Sequence, residues 1–242
     1  MIHTIIEGGA HPTTGSSCCT ADSIRLHRCR DCFNSAPVCQ KCIIEEHRSN
    51  PFHAIETWTG THFKKSSLED LQSALHLMHS GRPCPRMDPY DNGSRMEIVH
   101  VNGIHFMRIF QCQCPGHPSM IQQLTHCKLL PSTAVEPRVC FTFDLMKDFH
   151  VHSLTSKKSA FDYIRAIRRK TNAIVSDDPY PQFMRATRLW RFLTIEKRSG
   201  RAFGIDNFIT FRPKDSVALP CFPCPYPGFN MAPDWLKDII TA

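Results

Sequence analysis

Long apolar runs are missing from this 242-residue chain, and the longest span only a few residues. No segment can therefore cross a bilayer as a helix. The N-terminal stretch MIHTIIEGGAHPTTGSS has no basic region, no extended apolar region and no cleavage site, so no secretory signal is expected. Catalytic signatures are also missing. The chain has no G-x-S-x-G elbow, no Walker loop, no G-x-G-x-x-G and no H-E-x-x-H, which removes the common hydrolase, nucleotide-binding and metalloprotease readings. Pro220-Cys221-x2-Cys224 matches half of a zinc-deaminase signature, but the H-x-E half is missing, and His53-Ala54-Ile55-Glu56 has the wrong spacing for it. No internal repeat, coiled coil or low-complexity tract is visible. These absences point towards binding and away from catalysis.

Cysteine and histidine are plentiful, with 13 and 14 copies, in a chain that is otherwise globular in composition at 41% hydrophobic and 21% charged. In a chain expected to be soluble and intracellular, thiols stay reduced and C-x2-C pairs favour metal over disulfides. One segment concentrates them as Cys29-x2-Cys32-x6-Cys39-x2-Cys42-x4-His47-x5-His53. Two knuckles followed by two histidines supply the thiolate and imidazole donors that tetrahedral Zn2+ takes, paired closely enough for one turn to present both. A cross-brace plan joins Cys29 and Cys32 with His47 and His53 around one ion. Cys39 and Cys42 then meet an upstream pair drawn from Cys18, Cys19 and Asp22. Four protein ligands close such a site, so the metal is expected to be structural. Phe52 and Trp58 are expected to pack over it.

A further metal group is expected from Cys112, Cys114, Cys221 and Cys224, tying the end of a strand to the proline-dense tail, with His79 and Cys84 as reserve ligands. Cys127 and Cys140 read as buried apolar thiols. No residue is assigned a catalytic role.

The net charge of +7 is unevenly placed. Between Lys157 and Arg201 twelve basic residues face four acids, a local +8 that leaves the remainder at −1. Such a block suits nucleic acid. Its arginines fall into two rows, Arg165, Arg168 and Arg169 on one helix and Arg185, Arg188 and Arg191 on another, each beside an apolar stripe.

Periodicity gives an α+β chain. Residues 1–17 read as a disordered N-terminus, 18–60 as a small cross-brace metal-binding module, and 61–242 as a β-hairpin followed by a mainly helical part and a C-terminal C-x2-C motif. Ser66-Ser67-Leu68-Glu69 predicts a helix start, with Leu68, Leu71, Leu75 and Met78 on one stripe. Asn102-Gly103 predicts a two-residue turn between strands 95–101 and 104–110. Helices are expected at 118–126, 141–150, 159–170 and 180–197, with a short one at 235–240.

Several ordered motifs carry a family resemblance: HRCRDC (27–32), VCQKCIIEEHRSNPFHAIETW (38–58), LMHSGRPCP (77–85) and VNGIHFMRIFQCQCPG (101–116). Further on come PRVCFTFDLMKDFHVHSLTSKKSAFDYIRAI (137–167), WRFLTIEKRSGR (190–201) and LPCFPCPYPGFN (219–230). Together they resemble the CxC2-type cysteine-cluster region that precedes the catalytic domain of KDZ (Kyakuja-Dileera-Zisupton) transposases. The resemblance implies zinc binding by the cysteine/histidine cluster. It also implies a nuclear, accessory role contacting DNA or chromatin, or alternatively a protein partner or the transposase catalytic domain, without a membrane. Two departures stand out. The RNase H-like domain that follows in the family is not expected in this polypeptide, and adjacent Cys18-Cys19 replace a spaced cysteine pair.

Overall fold

The computed structural model describes residues 19, 25–33, 35–171, 178–209, 212, 216, 218, 221, 223–227 and 230–234. The expectations for residues 1–17, Cys18, Asp22 and the segment 235–240 lie outside them. The architecture is α+β, in two compact units, Met1–Ala186 and Thr187–Ala242. No described helix is long and apolar enough to cross a membrane.

In the first unit, β1 (His27–Cys29), β2 (Ile55–Trp58) and β3 (Phe63–Ser66) form an antiparallel sheet, with α1 (Gln40–Glu46) inserted between β1 and β2. A larger mixed sheet follows: β4 (Ala74–His76), β5 (Ser94–His100), β6 (Gly103–Phe110), β7 (Leu129–Pro131) and β8 (Val139–Thr142), in the order β4-β6-β5-β8-β7. Its helices are α2 (Met120–His126), α3 (Phe143–Thr155), α4 (Ala160–Thr171) and the start of α5 (Tyr180–Arg198).

Neighbouring residues on a strand point to opposite faces, and β8 shows the consequence. Cys140 joins a cluster with Met96, Ile98, Met107, Ile109 and Leu124 that also contains Cys29, Ile43 and Ile55. The cysteine/histidine segment and the large sheet therefore share one core. The next residue, Phe141, meets Phe183 at 5.4 Å between ring centroids, and Phe183 in turn meets Phe149 edge-on at 4.9 Å and stacks on Tyr163 at 5.9 Å. Burial of the Cys140 thiol pushes its pKa up to about 12, as an inert packing thiol requires. Its Sγ lies 3.2 Å from Met96 Sδ.

Three local expectations change. The helix at Ser66–Met78 is only one turn. Its start signal is genuine, because the Ser67 amide donates to Asp70 Oδ2 at 2.8 Å and the Asp70 amide to Ser67 Oγ at 3.1 Å. The turn then closes at once: Ser73 N–H reaches Leu68 O, Gln72 N–H reaches Glu69 O, and Gln72 sits at φ 61. That is a Schellman stop. The released chain, Ala74 to His76, pairs in parallel with β6. The hairpin is shifted by one residue, since Gly103 pairs with His100 and the loop is Val101-Asn102. Gly103 has φ +154, and a Cβ there would lie 2.7 Å from Thr171 Oγ1. Residues 139–142 form β8, so the third helix begins at Phe143, capped by Thr142, whose Oγ1 accepts from the Leu145 amide at 3.2 Å.

The second unit contains the C-terminal part of α5 and two short turns. Buried Arg212 is its hub, donating to Ser199 O and Ser216 O at 2.7 Å and pairing with Asp206 at 3.2 Å. The apolar stripe on α5 is buried only at Phe183 and Ala186, whereas Trp190 is half-buried and Leu193 exposed.

Candidate metal centres

Three groups of cysteine and histidine converge. In each, the donor atoms lie within 4.8 Å of one another.

The first holds Cys29, Cys32, His47 and His53. Cys29 ends β1, and the following turn folds back so that the Asp31 and Cys32 amides donate to its sulfur at 3.4 and 3.3 Å. His47 caps the C-terminus of α1. Its Nδ1–H donates to Ile43 O at 2.8 Å, which leaves the Nε2 lone pair aimed at Cys32 Sγ, 3.4 Å away. His53 Nδ1 stands 3.5 Å from Cys29 Sγ and 3.3 Å from Cys32 Sγ. A tetrahedron with sulfur at about 2.3 Å and nitrogen at about 2.0 Å from its centre has mixed edges of roughly 3.5 Å, so these spacings are those of a ligand shell. Burial pushes the Cys29 thiol up to about 11 and holds His53 below its ordinary value. A cation at the centre reverses the thiol's preference.

The second group holds Cys19, Cys39 and Cys42, with Cys19 Sγ 3.3 Å from Cys39 Sγ. In chain order its members flank and interleave with the first group, which is the cross-brace arrangement.

The third group is His79, Cys84, Cys112 and Cys114. Cys112 and Cys114, expected to meet Cys221 and Cys224, converge within the first unit with the reserve ligands His79 and Cys84. The reason is strand register. β4 lies parallel to β6 with Ala74 opposite Arg108 and His76 opposite Phe110, an offset of 34 that, carried on, brings His79 level with Gln113, between Cys112 and Cys114. His79 Nε2 is 3.2 Å from Cys112 Sγ and 3.6 Å from Cys114 Sγ, while Cys84 Sγ is 4.0 and 3.7 Å from the same sulfurs. Met78, His79 and Ser80 all hold positive φ (65, 47 and 54°), a sparsely populated backbone at the turn that carries the His79 ligand. The fully buried side chain of Gln123 fixes Cys112: its Oε1 accepts from the Cys112 amide at 2.8 Å and its Nε2 donates to the Cys112 carbonyl at 3.2 Å. The Gln113 amide, donating to Cys84 Sγ, brings that thiol down to about 6, and Cys114, hydrogen-bonded to Cys84 and Cys112, rises to about 11.

Cys221 and Cys224 are exposed residues of the second unit and belong to none of the three groups. Phe52 packs against His100 and His105 at 5.4 and 5.8 Å, and Trp58 against Phe63 at 5.0 Å. Of the arginine rows, Arg165, Arg169, Arg185, Arg188 and Arg191 are exposed, and Arg168 is half-buried beside Asp178 at 3.8 Å. Sequence reasoning missed the weight of His79 and Cys84 because 66–78 looked helical. The signal available was the proximity of Cys84 to the leucine run, flanked by Pro83 and Pro85.

Residues 68–175 match the family model of the CxC2-like cysteine cluster associated with KDZ transposases, which bears out the resemblance for that stretch and takes in the whole third group. No curated protein and no solved structure matches the chain.

Proposed function

We propose that this chain is a non-catalytic zinc-binding accessory region of a KDZ-type transposase, acting in the nucleus on DNA or chromatin. The observation that carries the reading is the pair of four-ligand groups, one of them wholly inside the matched residues. Mixed thiolate and imidazole donors at tetrahedral spacing are the set zinc selects over harder cations. In each four-ligand group every position is a protein atom, which leaves none for a substrate, so the metal stabilises the fold. The basic residues between Lys157 and Arg201 support contact with a polyanion. Mass spectrometry on protein purified under reducing conditions without chelator should find at least two zinc ions per chain. Less than one per chain would sink the reading. Duplex DNA should bind with an affinity that falls steeply with salt.

A second reading, a B-box-like protein-interaction module, rests on one observation. On α5 the side chains of Leu189, Phe192, Leu193 and Ile195 are all exposed, Phe192 by 57%. A partner covering that face would bind with little salt dependence, which separates the two readings.

A further inference from the structure

We propose that a groove between the first knuckle, β3 and the last turn of α4 seats the sugar–phosphate backbone of DNA. This inference rests on the DNA-contact reading and gives it a place that takes only Arg169 from the helical arginine rows. The groove encloses about 620 Å3, and its walls carry Arg30, Lys65, Arg169 and Lys170. Four cations thus arrive from three separate segments onto one concave surface, which concentrates positive potential more than a convex helix does.

The acids on the same walls are already engaged. Glu69 takes two hydrogen bonds from Arg95, at 2.7 and 3.2 Å, and Asp70 accepts from the Ser67 amide. Two of the cations are partly used: Lys170 Nζ donates to Val101 O at 2.7 Å, and Arg30 lies 3.5 Å from Glu56, a carboxylate shared with Arg28. Lys65 and Arg169 are exposed and meet no acid among the described residues. Arg168, the neighbour of Arg169 on the same helix, is instead beside Asp178.

The chemistry of the walls also sets the mode of recognition. Asn102 supplies the only side-chain amide of the groove, and its Nδ2 already donates to Asp31 Oδ2 and Phe52 O while its Oδ1 accepts from His105. No side-chain amide is left to pair with adenine, and cations that bind phosphate give little sequence preference.

The test is fluorescence anisotropy with a labelled duplex, titrated over a range of salt, on full-length zinc-loaded protein. The variant Lys65→Gln/Arg169→Gln should flatten the slope of log affinity against log salt by about 1.8, at about 0.9 per phosphate contact, and by more than Arg188→Gln/Arg191→Gln does. Each single groove variant should show half the effect, which keeps the test open if the double variant misfolds. If the α5 pair flattens the slope and the groove pair does not, the groove is overturned and DNA contact through the helices stands. Wild-type protein with no salt-dependent DNA binding would overturn both. Polyglutamate that competes as well as unlabelled DNA, charge for charge, would overturn the assignment to phosphate.

Discussion

Asp31 and Asn102, 71 residues apart in the chain, meet at 2.8 Å through Asp31 Oδ2 and Asn102 Nδ2. The same Nδ2 donates to Phe52 O at 2.6 Å, and Asp31 Oδ2 also takes the Ala54 amide at 2.8 Å. One hairpin side chain therefore holds the knuckle of Cys29 and Cys32 against the loop that carries His53. Hydrogen bonds that hold metal ligands in place are worth roughly 10–100-fold in metal affinity. Asn102→Ala should weaken zinc at the first group by that factor in competition with a chromophoric chelator, although it removes no ligand. Unchanged affinity would show the contact to be incidental.

The third group yields a clean separation of cysteines. Cys84→Ser should lose one equivalent of zinc, whereas Cys221→Ser should retain full metal content, since only the former belongs to a four-ligand set. Mass spectrometry of the intact variants reads the difference. Equal loss in both would restore the pairing of Cys112 and Cys114 with the tail.

Cys127 offers the contrasting case within the first unit. It is half-buried against the apolar cluster and belongs to no metal group, so Cys127→Ser should lower stability by about 1–3 kcal/mol and keep all zinc. Cys32→Ser should lose both zinc and the cooperative unfolding of that segment. Chemical denaturation with parallel metal analysis distinguishes them.

On the opposite face of the sheet, Phe141 is fully buried against Phe183. Phe141→Ala leaves a cavity and should lower stability by about 3–5 kcal/mol with zinc content intact. A loss below about 1 kcal/mol would mean that the aromatic cluster is not packed as described.

His105 provides a pH test. Burial holds its pKa down at about 4, against 6.5 for the ordinary side chain. Between those values the unfolded chain binds a proton that the fold refuses. The stabilising effect is complete above about pH 6.5 and is lost as pH falls towards 4, by about 3 kcal/mol in all. His105→Gln should flatten that part of the stability curve relative to wild type, measured by urea midpoints at fixed zinc. Parallel curves for the two proteins would refute the assignment.

How much was legible beforehand depended on range. The knuckle at Cys29 and Cys32, the histidines at 47 and 53 and the helices at 120–126, 160–171 and 180–198 rest on spacings of a few residues, which the sequence displays directly. The alternation of cysteine pairs between two groups was readable for the same reason. At Ser67–Asp70 the start of a helix was read correctly, but nothing local showed that it would stop at Gln72, because that stop depends on what the released chain pairs with.

By itself the sequence determined which donor atoms exist, which of them lie within a turn of each other, and that reduced thiols in this pattern favour metal. Only the tertiary structure decided that His79 and Cys84 join Cys112 and Cys114 in one group. The physical reason is that the pairing follows from a parallel register between β4 and β6, offset by 34 residues. Register is chosen by burying Leu77, Met107 and Ile109 in a core shared with residues far along the chain, and no short-range spacing records that choice.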